Sequence, residues 1–180
     1  VFTGTARAPF LKSNEEGTRL LPIYQKLTQG GVDIQWTWDA WLLKLEFVIA
    51  DQSDDNFVSS ALGFEYTFFD ISDSGLDLGI LVECLYDNRD ETKTASTLFE
   101  NDIFVDTRLS WNNFYESELL FGAIIDWETG SIFSSIEYER RIGENMKFEV
   151  EAQYLTANDT EPLAQFEHDS NLTLRLTRYF

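Results

Sequence analysis

Apolar and polar residues alternate with a period of two through most of this sequence, and an extended strand with one oily and one wet face fits that pattern. In Lys147–Leu155, "KFEVEAQYL", the residues Phe148, Val150, Ala152 and Tyr154 fall on one side, and Lys147, Glu149, Glu151 and Gln153 on the other. Upstream, Ile132, Ile136 and Tyr138 alternate with Ser135, Glu137, Glu139 and Arg141, and Gly143-Glu-Asn145 between the two runs has the composition of a tight turn. The same alternation sets Val32, Ile34, Trp36 and Trp38 against Asp33, Gln35 and Thr37, then Trp41, Leu43, Leu45, Phe47 and Ile49 against Lys44 and Glu46. Val58, Leu62, Phe64, Tyr66 and Phe68 oppose Ser59, Gly63, Glu65 and Thr67, while Leu76, Leu78, Ile80, Val82, Cys84 and Tyr86 oppose Asp77, Gly79 and Glu83. Ile103, Val105, Leu109 and Trp111 oppose Asp102, Asp106, Arg108 and Ser110, and Leu119, Phe121, Ala123, Ile125 and Trp127 oppose Glu118, Gly122 and Asp126. With the closing "NLTLRLTRYF", about nine amphipathic strands fill residues 30–180. No helical period competes over a comparable length, and Pro9, Pro22 and Pro162 all fall between strands, where a missing N–H does no harm. Residues 18–27, "TRLLPIYQKL", read as a short helix or an ordered loop.

The connections carry a second pattern. Short turns at Asp39–Ala40, Ile71–Ser74, Asn112–Glu116 and Gly143–Asn145 alternate with longer polar connections at Asp51–Asn56, Asn88–Glu100 and Thr156–Ser170. The brief "ETGS" at residues 128–131 is the exception. Short turns at one end and long loops at the other describe an antiparallel up-and-down barrel of the outer-membrane type. Residues 1–29 then read as the end of a strand and a long extracellular loop, and 30–180 as membrane strands with their connections.

No run approaches the roughly 18 apolar residues of a membrane helix, but a barrel strand needs only about 9 to 11 residues, half of them facing away from lipid. The five Trp, seven Tyr and fifteen Phe exceed what a small soluble core needs. Parity places Trp38, Trp41, Phe68 and Trp111 at the short-turn rim and Tyr86, Trp127 and Tyr154 at the opposite one, as two aromatic girdles at headgroup depth would require. A soluble sandwich also alternates. Its apolar faces must interdigitate at core density, however, and here the oily face carries large residues along nearly every strand.

On the wet face, the candidate lumen residues are Asp33, Lys44, Glu46, Glu65, Asp77, Glu83, Asp102, Asp106, Arg108, Glu118, Asp126, Glu137, Glu139, Arg141, Glu149, Glu151 and Arg175. Carboxylates outnumber bases there by more than two to one. A water-filled lumen so lined favours cations. The whole chain has 13 basic and 32 acidic residues, a formal charge of -19, which argues against nucleic acid. A single cysteine, Cys84, and a single histidine, His168, exclude a Cys/His zinc pattern. "DQSDDN" and "NRDET" lack EF-hand spacing and read as solvated loops. Pairs such as Glu137/Glu139 and Glu149/Glu151 would serve acid–base chemistry only if they converged on a substrate, and Arg141, Lys147 and Arg175 are at hand as cross-strand partners. His168, near Asp169 and Ser170, invites a hydrolase reading, yet neighbours in sequence do not make a triad. No catalytic, cofactor or metal residues are assigned.

The terminal strand, with Leu172, Leu174 and Leu176 in alternation and Phe180 last, resembles the C-terminal assembly signal of bacterial outer-membrane β-barrel proteins. The resemblance implies that the barrel-assembly machinery reads these residues. Arg178 departs from the pattern by charging the apolar face near the rim, where it can snorkel. "GGVDIQWTWDAWLLKLE", "GFEYTFFD", "LVECLYD" and "SELLFGAIID" are similar to the C-terminal half of a porin-like proteobacterial family without an assigned function. That resemblance spans most of residues 22–180 and brings no catalytic motif.

Together these readings predict an all-β transmembrane barrel in the outer membrane of a Gram-negative bacterium. Because about nine strands is odd and single-chain barrels usually have an even number, a larger even-stranded barrel with further N-terminal strands is expected. The expected function is a passive pore for small solutes or cations, and not an enzyme. A closed barrel serving as a structural or partner-binding component is the alternative, and an outer-membrane barrel hydrolase a third reading. Expected partners are outer-membrane lipid and lipopolysaccharide, the assembly machinery, and a further protein or a second copy.

Overall fold

Every alternating run forms a strand in the computed structural model, which describes residues 2–6, 10–14, 18–52, 55–95, 97, 99–158, 164 and 169–180. The strands are β1 (Phe2–Thr5), β2 (Phe10–Ser13), β3 (Leu20–Ile23), β4 (Lys26–Trp38), β5 (Trp41–Gln52), β6 (Asp55–Phe68), β7 (Leu76–Asp87), β8 (Asn101–Trp111), β9 (Ser117–Asp126), β10 (Ile132–Ile142), β11 (Met146–Thr156) and β12 (Asn171–Arg178). Ten of them make one antiparallel up-and-down sheet in the order β1-β4-β5-β6-β7-β8-β9-β10-β11-β12, and β2 and β3 pair separately. The described residues contain no α-helix. The ten strands form a single layer and not two sheets facing across a core, which corrects the sandwich alternative.

Three differences from the sequence reading have physical causes. The described residues of 1–29 hold three short strands and the start of β4, because β1 finds its partner at Lys26–Gln29 and the "LLPI" run pairs with "FLKS". The tenth strand of the sheet is thus a short one. Asp51–Asn56 is not a long loop: β5 runs to Gln52, which pairs with Asp55, so polar side chains extend the ladder beyond the apolar stretch. Their composition had the look of a loop because strand ends leave the apolar zone.

Register fixes the shape. From Trp38, at the end of β4, the row of paired residues runs through Trp41, Tyr66, Ile80, Thr107, Phe121, Ile136 and Ala152 to Leu172, near the start of β12. Since β4 and β12 point the same way, the sheet is sheared by about one residue per strand. At ~3.3 Å per residue and ~4.8 Å between strands, that is a tilt of roughly 30°. It approaches the roughly 35–45° of closed barrels. The sheet itself is open: among the described residues β12 pairs only with β11, and Gly30–Trp38 of β4 only with β5.

Small residues let the polar face carry charge. Lys44 on β5 reaches Glu83 on β7 at 3.2 Å, and Gly63 is the residue of β6 directly between them. A Cβ at Gly63 would strike the Glu83 side chain and lie 2.9 Å from the Val82 carbonyl oxygen. Gly63→Val is therefore expected to break the bridge and cost about 1–3 kcal/mol through overpacking, read as a lowered midpoint in chemical unfolding. An unchanged midpoint would show that the neighbouring strands simply shift.

Candidate functional site: the acidic face

Cross-strand pairing assigns each side chain to a face without ambiguity, because directly paired residues project the same way. One row joins Asp33, Glu46, Ala61, Leu85, Asp102 and Asp126. The next joins Lys44, Gly63 and Glu83, and another Glu65, Leu81, Asp106 and Gly122. Arg108, Leu120, Glu137 and Glu151 follow. Asp77, Ser110, Glu118, Glu139, Glu149 and Arg175 come next, and Arg141 with Lys147 nearest the turns. All the charged positions read from the sequence as lining share this face.

Its cations are mostly neutralised. Lys147 sits 2.8 Å from Glu139 and 3.2 Å from Glu149, Arg175 lies 3.9 Å from Glu149, and Arg141 reaches Glu116 in the adjoining turn at 2.9 Å. Arg141 thus pairs with the turn and not with the strand carboxylates expected of it. Glu137 and Glu151 stand directly opposite one another with no ion pair to either among the described residues, a placement that costs energy unless water screens it. Excess negative charge is the net character of this surface.

The opposite face inverts the usual arrangement. Trp36, Leu62, Phe64, Phe121, Ile136, Leu172 and Leu174 all lie on it and are exposed, Leu62 at 59%. Buried apolar residues among those described are only Ala6, Ala50, Phe57 and Leu155. Trp38, Trp41, Phe68 and Trp111 end or begin strands at the short-turn side, and Tyr86, Trp127 and Tyr154 stand at the other. Cys84 shares the apolar face with Leu62 and Ile103. Leu172, Leu174, Leu176 and Phe180 lie on or just past the free edge strand and are exposed.

At the far end from the short turns, the described residues of loop 88–100 (88–95, 97, 99 and 100) fold over the acidic face. Asp87 is buried, accepts a hydrogen bond from the Ser59 hydroxyl, and is gripped by Arg89 through Nε at 2.8 Å and a terminal guanidinium nitrogen at 2.6 Å. That hydrogen bonding holds the Arg89 pKa above its ordinary value. The same guanidinium lies 4.5 Å from the Phe57 ring centre and donates to the Ala95 carbonyl at 3.4 Å. Gln52 donates to Gln25, which donates in turn to the Lys93 carbonyl at 2.6 Å, and the Asp90 N–H reaches Asp55 at 2.8 Å. Thr94 is wholly buried. Beneath the loop remains a recess of about 300 Å³ lined by Leu27, Gln29, Val48, Gln52, Phe57, Ser59, Arg89 and Ala95.

Sequence reasoning missed this cluster. Parity alone would have added Asp87, two places beyond Leu85. Arg89 falls in "NRDET", whose composition is that of a solvated acidic loop. Asp90 is held down at about 2 by hydrogen bonds from Lys93 and Thr92, so its carboxylate is engaged inside the loop. No set of three or more His, Cys, Asp or Glu converges as metal ligands among the described residues. His168 lies outside those residues; Ser170 accepts the Leu155 N–H at 3.3 Å. Compared with family models, curated sequences and solved structures, the chain shows no significant match to any.

Proposed function

We propose that this chain forms the wall of a water-filled pore in a bacterial outer membrane, passing small solutes with a preference for cations. The observation that carries the reading is the inverted amphipathicity: large apolar side chains are exposed across the whole sheet while the other face holds most of the charges. Nine strands at ~4.8 Å make a face roughly 40 Å wide, and Trp41 to Ile49 on β5 spans about 26 Å along the strand, or roughly 23 Å along the axis at the inferred tilt. Soluble monomers rarely expose such a patch, whereas an outer-membrane barrel shows lipid a band of about 25 Å.

Closure belongs to the same proposal. Because β4 and β12 are parallel, β4–β12 cannot close as an antiparallel ring, but β1 runs opposite to both. Further strands that continue β1 past Gly30–Trp38 and turn back to meet β12 would satisfy both open edges and give an even number, as a bilayer interior demands. The terminal Leu172, Leu174, Leu176 and Phe180 then serve the assembly machinery.

Planar-bilayer recording tests the pore. With unequal potassium chloride on the two sides, steady conductance and a reversal potential displaced toward that of potassium are expected. A silent bilayer would sink the pore reading, and displacement toward chloride would sink its cation preference. The second reading, a barrel closed by its own loop and used for structure or partner binding, is favoured by the inward fold of loop 88–100.

A further inference from the structure

Three charged residues of the sheet's basic set stand on the apolar face, and two of them are at the short-turn end. Arg140 pairs with Phe148, and Arg178 with Met146, which puts both guanidinium stems among lipid-facing side chains at that rim. Lys26, the third, opens β4 at the other end. No strand carboxylate shares the turn-side rim of this face: its other strand-end residues are Trp38, Trp41, Phe68, Leu76, Trp111, Ser117, Ile142 and Met146. In a chain of formal charge -19, the strand residues of this strip carry only positive charge, and the rim's carboxylates lie in the adjoining turns.

The two arginines also differ from most of the basic residues across the sheet. Lys44, Arg141, Lys147 and Arg175 each meet a carboxylate. Arg140 and Arg178 meet rings: Arg140 lies 4.4 Å from the centre of Tyr115, in the β8–β9 turn, and Arg178 lies 5.1 Å from that of Phe180. A ring covers one face of a guanidinium and leaves its N–H edge free, the edge that binds phosphate in a bidentate manner. An exposed arginine without a carboxylate, held against an aromatic at headgroup depth, is matched by an anionic lipid.

We propose that the short-turn rim binds the phosphate groups of anionic phospholipids through Arg140 and Arg178, anchoring the depth and tilt of β10–β12 in the leaflet on that side. The proposal rests on the membrane reading above. Its test is to refold the full-length protein, with the strands that close the barrel, into nanodiscs of phosphatidylcholine doped with phosphatidylglycerol and count lipids retained in native mass spectrometry. Phosphatidylglycerol enrichment of about five-fold per arginine is expected. The R140Q/R178Q double variant should lose it, while R175Q, which removes the same charge from the other face, should keep it. Failure of the unmodified full-length protein, with the strands that close the barrel, to insert would overturn the membrane reading and this proposal together. Insertion without enrichment, enrichment that survives in the double variant, or equal loss in R175Q would overturn this proposal alone.

Discussion

Leu62→Arg is expected to cost about 2–4 kcal/mol when the protein is folded in a bilayer, and Ala61→Arg, one residue away, well under half of that. Leu62 is central in β6 and flanked across the sheet by Leu45 and Cys84, so its side chain points into the middle of the apolar band. An arginine there must drag water inward or abandon its charge, and a position so far from either rim gives it little chance to snorkel. Ala61 belongs to the row of Glu46 and Leu85 on the acidic face, where water and carboxylates welcome a guanidinium. The comparison separates readings that periodicity alone cannot. Were both faces in water, Leu62 is already 59% exposed and its replacement would change stability by no more than about 0.5 kcal/mol. Urea titration of folding into vesicles, scored by the folded band on unheated gels, reads both variants. Equal tolerance of the two would remove the lipid-facing assignment.

The division of residues between the two faces was legible in the sequence because pairing proceeds from β4 to β12 in step, with no slip to exchange the faces. Once Glu149 and Glu151 are placed with Lys147, alternation and turn length do the rest. What alternation cannot see is contact over distance. The order of loop 88–100 depends on Gln25, sixty-eight residues from the Lys93 carbonyl it binds, and on Asp55, thirty-five from Asp90. Nothing in "NRDET" distinguishes a loop held inward from one left in solvent. The Gln52–Asp55 hairpin was hidden for a related reason: polar strand ends beyond the apolar band share their composition with loops. The edges are a matter of pairing partners, and no single strand carries that information in its own pattern.

Arg89→Ala is expected to release loop 88–100 from the acidic face. The substitution removes two side-chain hydrogen bonds from Asp87, whose side chain is 6% exposed, together with the stacking on Phe57 and the bond to Ala95. Among the described residues Asp87 keeps only Ser59 and the backbone N–H of residue 89 as side-chain partners, and taking one partner from a largely buried pair costs about 3 kcal/mol, the low end of the range because Arg89 retains some exposure. The loop is the cheapest part of the structure to open, so the loss should appear there and leave the sheet paired. Protease cleavage within residues 88–100 should accelerate by about a hundredfold for a loss of that size. In a bilayer the same variant should conduct more than the unmodified protein, since the loop no longer covers the face beside β4–β7. Adding Asp87→Asn should recover part of the protection, because a neutral amide needs no counter-charge. Unchanged cleavage would show that Gln25 and Asp55 hold the loop without the clamp. Faster cleavage with unchanged conductance would place the loop to one side of any ion path.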